Sequence, residues 1–233
     1  MNFYKYIERL IRYMKMLIPI KQKGHHKYQN KNQTTNTEII LSLLKNEIYF
    51  SNIVDVGCGH GEWFLNSKKI FPDSNYILFD ANVENKNKLE QLNKKNTNFF
   101  FSICVLSDKI KNVKFFRMGY GSSLYEENTK HSRFVERLKS TTLYLELEKF
   151  NFKNDNNLIK LDVQGSELDI INGLGNKLNF FKVIIMEVSV RQYNLGSPLF
   201  SDVVSFMDKK NYTLYDICDN KRLGEYNSKL IQL

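Results

Sequence analysis

Three features of the 233-residue chain predict an α/β fold with a mostly parallel central sheet flanked by helices. Short apolar runs alternate with helical patterns from residue 50 onward. One of these runs empties into three glycines, Gly57, Gly59 and Gly61. The next run closes on an acid, Asp80. Strand–helix alternation of this kind implies parallel strands joined by crossover helices.

Taken in order, residues 53–56, 76–79, 99–105, 158–163 and 183–188 read as strands, each an apolar run bounded by polar or turn residues. Helical patterns follow near 62–69, 84–95 and 166–172. Residues 114–117 add a short hairpin strand, 198–209 a helix and 212–218 a late strand. The run Thr35-Asn-Thr-Glu38 has the form of a capping box, opening a helix with Ile39, Ile40, Leu43 and Leu44 on one face. The domain therefore spans 37–233, preceded by a helix and linker over 1–36.

The sharpest local signal is VDVGCGHGE, residues 54–62. Glycines let a chain turn sharply and bring bare backbone against a ligand. The helix that follows offers free N–H groups. A dinucleotide site needs GxGxxG. Here the spacing is GxGxG, and Glu62 stands where the last glycine would be. A carboxylate facing a pyrophosphate is unfavourable. S-adenosylmethionine (AdoMet) carries a sulfonium and an ammonium and no phosphate, so the flanking acids Asp55 and Glu62 suit it. A P-loop is excluded because no GK[ST] follows. Asp80 lies 19 residues after Gly61, where a carboxylate can accept both hydroxyls of a ribose. The sequence VLSD, 105–108, closes the third predicted strand, and Ser107 and Asp108 are candidates for the adenine end, Asp108 for its amino group.

Together these segments resemble the FkbM family of AdoMet-dependent methyltransferases, whose fold is the Rossmann-like class I methyltransferase. The resemblance runs through VDVGCGHGE, FDAN after strand two, VLSD, GSSL at 121–124, LIKLDVQGSEL at 158–168 and IIMEV at 184–188. The later segment is the most specific. The family reads there like K-I-D-V-E-G-x-E, whereas this chain has Gln164 at the fifth position. The strand-two acid, commonly Glu in the family, is Asp80. Membership implies O-methylation, often of sugar hydroxyls in surface glycans or secondary metabolites, with the acceptor differing between members.

Methyl transfer needs an acceptor oxygen about 3 Å from the methyl carbon and in line with the leaving sulfur. A neutral hydroxyl is a weak nucleophile, so a base helps. Asp162 ends one predicted strand and Glu187 lies near the end of the next, where ligands of open α/β sheets bind. Asp162 is the first candidate for base or acceptor-orienting group and Glu187 the second; the competing reading makes Asp162 a cap for the helix near Ser166. Glu167 falls in that helix's first turn, where its charge offsets the dipole. Ser122, Ser123 and His131 lie in an insertion suited to an acceptor pocket, or to a polar turn around Gly119 and Gly121. The two carboxylates could also hold a divalent metal that orients a diol, but no third ligand is evident in the sequence.

Net charge is +9, from 34 basic and 25 acidic residues, which favours anionic partners such as a nucleotide-linked or phosphorylated sugar acceptor. Residues 3–18 form an amphipathic basic helix with Phe3, Ile7, Leu10, Met14 and Leu17 on one stripe. It could touch a membrane surface, build a homo-oligomer or pack on its own domain. Charges at Lys5, Glu8, Arg9, Arg12 and Lys15 interrupt any signal-peptide core, and no run of 18 apolar residues exists. Cys58, Cys104 and Cys218 are odd in number and widely spaced, with no CxxC pair, so a cytoplasmic setting is expected. The competing functions are an RNA methyltransferase, which the charge suits but for which no RNA-binding module is visible, and a non-catalytic AdoMet-binding assembly protein.

Overall fold

A computed structural model describes residues 36–129, 132–150, 152 and 156–218. The expected helix over 3–18 and the candidate His131 lie outside these residues. Helix α1 (Asn36–Leu44) leads into strand β1 (Asn52–Val56), helix α2 (Glu62–Ile70) and strand β2 (Asn75–Asp80). Helix α3 (Lys86–Asn93), strand β3 (Phe99–Ile103) and the short β4 (Val105–Leu106) follow. A hairpin of β5 (Asn112–Arg117) and β6 (Phe134–Thr141) precedes helix α4 (Leu143–Glu148). The chain closes with β7 (Asn157–Leu161), α5 (Glu167–Gly173), β8 (Phe181–Met186) and α6 (Phe200–Asp208).

The main sheet has the order β3-β2-β1-β7-β8, and every pair in it is parallel. Its central strands are covered on both faces, which is why they read as continuous apolar runs rather than alternating ones. Strand alternation sends Val54, Val56, Ile77, Phe79, Ile159 and Leu161 into one core and Ile53, Tyr76, Leu78 and Leu158 into the other. In the second core Phe64 of α2 meets Tyr76 and Phe99 edge-to-face, at centroid distances of 4.9 and 4.7 Å. Burying such a ring contributes about 2–3 kcal/mol. These contacts fix α2, and with it the glycine loop, against the sheet.

Three expectations change. The predicted strand over 99–105 breaks at Cys104, whose N–H donates to the Asp80 carbonyl (2.9 Å) at the end of the β2–β3 ladder. Val105 and Leu106 then leave the main sheet and pair with Ser140 and Thr141 of β6. The hairpin strand is longer than 114–117, because all of Asn112–Arg117 pairs antiparallel with Phe134–Thr141. Residues 212–218 form no strand. Tyr212 is anchored, its hydroxyl donating to the carbonyls of Leu178 (2.7 Å) and Phe181 (2.8 Å), but residues 213–217 run exposed without a ladder. No described helix is long and apolar enough to cross a membrane.

Candidate functional site

The chain leaves β1 toward β2 on one side, whereas β7 takes its place on the other side of β1. That reversal opens a crevice beyond the carboxyl ends of β1 and β7, the usual ligand position in an open α/β sheet. Asp55 and Lys160 are register partners across this seam. Alternation puts them on the face of Ile53 and Leu158, with Asp80 two residues beyond Leu78 on the same face.

Lys160 ties the seam together. Its ammonium lies 3.1 Å from Asp55 Oδ1 and 3.4 Å from Asp162 Oδ2, and it donates to the Gly57 carbonyl at 3.2 Å. Burial alone would lower the lysine pKa, but Asp55 and Asp162 raise it, so the group stays charged. Asp55 is completely buried, its Oδ1 met only by this ammonium as an ion pair and its Oδ2 without a hydrogen-bond partner. Burial raises its pKa and Lys160 opposes the rise. Asp55 therefore does not reach the crevice wall; it neutralises Lys160 from below. Sequence reasoning passed over Lys160, although a lysine inside the apolar run LIKLDV opposite an acid inside IVDVG was a visible sign of a buried pair.

The glycines divide by role. Gly57 has φ +74, and a Cβ there would sit 1.9 Å from the Asp162 carbonyl oxygen. Gly61, at φ +83, would drive a Cβ to 2.6 Å from Leu92 of α3. Both let the protein approach itself closely, and Gly57 also lines the crevice. Gly59, at φ +55, lines the crevice, and its N–H donates to Asp80 Oδ2 at 2.7 Å. Asp80 Oδ1 accepts from Asn82 N at 2.7 Å. Burial raises the Asp80 pKa against these two backbone donors. The Asn85 side chain is a third donor, the carboxylate keeps acceptor capacity beyond these, and Asp80 faces the crevice.

Ser107 and Asp108 are carried elsewhere. Because β4 leaves the main sheet, the turn after it packs on α5, where a Cβ at Gly173 would lie 2.3 Å from the Ser107 carbonyl. The Lys111 ammonium, 2.5 Å from Asp108, holds that carboxyl below its ordinary value. Neither residue lines the crevice; Cys104, Val105 and Leu106 do.

On the other side of the seam, Asp162 N donates to Val56 O (3.0 Å) and Glu187 N to Leu161 O (2.9 Å), which sets both acids at their strand ends. The Gln164 amide joins them, donating to Asp162 Oδ1 at 2.9 Å and to Glu187 Oε2 at 3.3 Å. Burial pulls the Asp162 pKa up, but Lys160 and hydrogen bonds from its neighbours outweigh this and hold it below the ordinary carboxylate value. Glu167 does more than face the helix dipole. It is buried, and its carboxylate accepts from Val163 N (3.1 Å) and Gly165 N (3.0 and 3.2 Å). Burial lifts its pKa to about 7 against those backbone donors.

Ser123 is buried and donates to the Gln164 carbonyl (2.7 Å) while accepting from Tyr125 N (2.9 Å), so its hydroxyl supports the loop beneath the acids. Asn194, absent from the sequence-based candidates, donates to the same carbonyl at 2.6 Å. Ser122 is spent on its own turn, donating to Gly119 O (2.8 Å) and accepting from Met118 N (2.9 Å). The crevice is thus lined by Gly57, Gly59, Asp80, Asp162, Gln164 and Glu187, with Ser122 and Ser123 at the insertion. Among the described residues, no group of three or more His, Cys, Asp or Glu is placed to hold a metal ion. The crevice is acidic: Lys160 offsets Asp55, which leaves Asp80, Asp162 and Glu187 facing it. That balance and the bare backbone at Gly59 fit a cationic, hydroxyl-bearing cofactor.

Comparison with known proteins identifies the family. The model of the methyltransferase FkbM domain matches residues 45–214. Two solved structures are similar over much of the chain. A precorrin-6y C5,15-methyltransferase from Geobacter metallireducens GS-15 is 14% identical, with 87% of this chain and 86% of that one covered and a TM-score of 0.44. A putative methyltransferase from Thermobifida fusca YX is 12% identical, with 75% and 57% covered and a TM-score of 0.44. No curated protein matches the chain. The family match spans the glycine loop, Asp80, the LDVQGSE turn and Glu187 in one stretch, and the chain belongs to the FkbM methyltransferase family.

Proposed function

We propose that the protein is an AdoMet-dependent O-methyltransferase acting on a hydroxyl of a sugar or glycan precursor, including a nucleotide-activated one. The observation that carries this reading is the carboxyl pair Asp162 and Glu187, joined by Gln164 at the mouth of the crevice. Paired carboxylates are good acceptors for vicinal hydroxyls. AdoMet would supply a methyl group on a cationic sulfur. Asp80 would hold the ribose hydroxyls, and the backbone at Gly59 would lie against the cofactor. Because Asp162 is held below the ordinary carboxylate range, it is ionised at neutral pH and accepts the hydrogen bond of an incoming hydroxyl. The proton leaves the hydroxyl oxygen for a carboxylate oxygen of Asp162, with Glu187 as the exposed relay to solvent. The odd number and wide spacing of the cysteines, with no CxxC pair, suit a reducing cytoplasm. The excess positive charge suits a phosphate-bearing acceptor.

The test is calorimetric titration with S-adenosylhomocysteine, beside Asp80→Ala, followed by transfer of labelled methyl to a panel of nucleotide sugars, free glycans and RNA. Micromolar binding lost in the variant, with label on a sugar, supports the reading. Folded protein that does not bind removes it, and label on RNA replaces the acceptor.

A further inference from the structure

Gln164 has φ +57, a left-handed conformation that glycine favours. A residue with a side chain holds it only where its surroundings over-determine the backbone, and such strain gathers at functional sites. The surroundings here are specific. Ser123 and Asn194 both donate to the Gln164 carbonyl, at 2.7 and 2.6 Å. Glu167 fixes the N–H groups on either side of Gln164, those of Val163 and Gly165. Ser123, Asn194 and Glu167 are all buried. Three side chains from three parts of the chain thus hold one strained peptide.

That conformation aims the side chain at the two acids. A carboxamide nitrogen carries two protons and a carboxylate has only lone pairs, so a nitrogen between two carboxylates satisfies both. Nε2 lies 2.9 Å from Asp162 Oδ1 and 3.3 Å from Glu187 Oε2. Asp162 Oδ2 faces Lys160 at 3.4 Å. Each oxygen of Asp162 therefore has a donor, Glu187 hydrogen-bonds it as well, and Gln164 bridges the two acids from the side. The charged groups that face Asp162 are Lys160, Glu187, Asp55 and Glu167.

We propose that Gln164 is a positioning residue, whose amide holds Asp162 and Glu187 as one unit while its clamped left-handed backbone keeps that amide in place. The proposal rests on the reading of this pair as the acceptor side of the crevice. A carboxylate at position 164 would set a third negative charge against the other two and raise their pKa values.

The test reads the carboxyl groups themselves, by carbon-13 NMR titration of wild type, Gln164→Gly and Gln164→Glu. Glycine adopts φ +57 without a Cβ penalty, which offsets part of the cost of the lost amide hydrogen bonds, so the Gly variant should still fold. Its Asp162 titration should nonetheless move up, and that of the Glu variant should move further, by about tenfold in the ionisation constant for each donor lost or charge gained. Asp162 and Glu187 titrating as in wild type in the folded variants would overturn the proposal. Should the Gly variant fail to fold, the nearly isosteric Glu variant decides the same question. Calorimetry with S-adenosylhomocysteine on the same samples keeps the two readings apart. Wild type that does not bind it removes the methyltransferase reading, whereas the carboxyl titration decides Gln164 either way.

Discussion

The two halves of the crevice are built in different ways. The glycine-loop half is assembled from neighbours: Gly57 to Asp80 lie within one β–α–β unit, and their backbone bonds close locally. The Asp162 half is assembled from a distance. Gln164 is held by Ser123 and Asn194, 41 and 30 residues away in the chain. The insertion that carries Ser123 is tied to the segment around Asn194, with Asn128 N donating to Tyr193 O (2.9 Å) and Leu195 N to Glu126 O (2.7 Å), while a buried ion pair between Glu127 and Arg133 braces the insertion itself. A local half can be kept by one motif. A distributed half depends on several loops at once.

The seam between the halves offers the hardest break. Gly57→Ala puts a methyl against the Asp162 carbonyl at a positive φ, and neither backbone can yield without separating β1 from β7. A loss of about 5 kcal/mol is expected, or roughly 10–20 °C in melting temperature for a chain of this size. A variant that melts like wild type would mean the seam is looser than its geometry. Lys160→Met comes next. It leaves Asp55 buried and unpaired, at an expected cost of about 3–5 kcal/mol. Adding Asp55→Asn should recover much of it, because the uncompensated charge goes too. No recovery in urea denaturation of the double variant would mean that Lys160 acts by packing alone.

The same contrast explains what could be read from residues alone. The parallel sheet, the glycine loop and the placing of Asp80, Asp162 and Glu187 at strand ends were legible, because they follow from apolar runs and from where those runs stop. The β5–β6 sheet was half legible: the partner strand FVERLKST mixes charged and apolar residues and has few buried positions. Asp108 was misplaced for a tertiary reason, since Cys104 breaks the strand and sends the chain to β6. Asn194 gave no local sign. Its role exists only once the loops around 123 and 194 meet over Gln164.

The halves should also separate in solution. Asp162→Asn keeps the shape of the side chain but removes the charge that, on the proposed reading, would face an incoming hydroxyl. Turnover should fall by roughly 100-fold or more, the ordinary share of a positioned base, while affinity for S-adenosylhomocysteine stays within about threefold. Asp80→Asn should do the reverse, weakening that affinity by about tenfold or more, since a carboxylate accepting from a hydroxyl is among the stronger hydrogen bonds. Equal losses of affinity in the two variants would dissolve the division between cofactor side and acceptor side.

The smallest effect tests how the distributed half is held at different pH. Glu167 titrates at about 7 in the folded protein against an ordinary value of 4.5, because burial disfavours its charge. Between those values the folded state binds more protons than the unfolded state, so this group's contribution to stability falls as pH rises. It is complete below 4.5 and lost through about 7. Glu167→Gln keeps an oxygen to accept from Val163 N and Gly165 N, both of which Glu167 Oε1 already reaches, but has no charge to bury. The difference in melting temperature between variant and wild type should therefore be near zero at the acid end and grow by a few degrees in the variant's favour above neutrality. A difference independent of pH would show that Glu167 is solvated when ionised. The turn beneath Gln164 would then rest on Ser123 and Asn194.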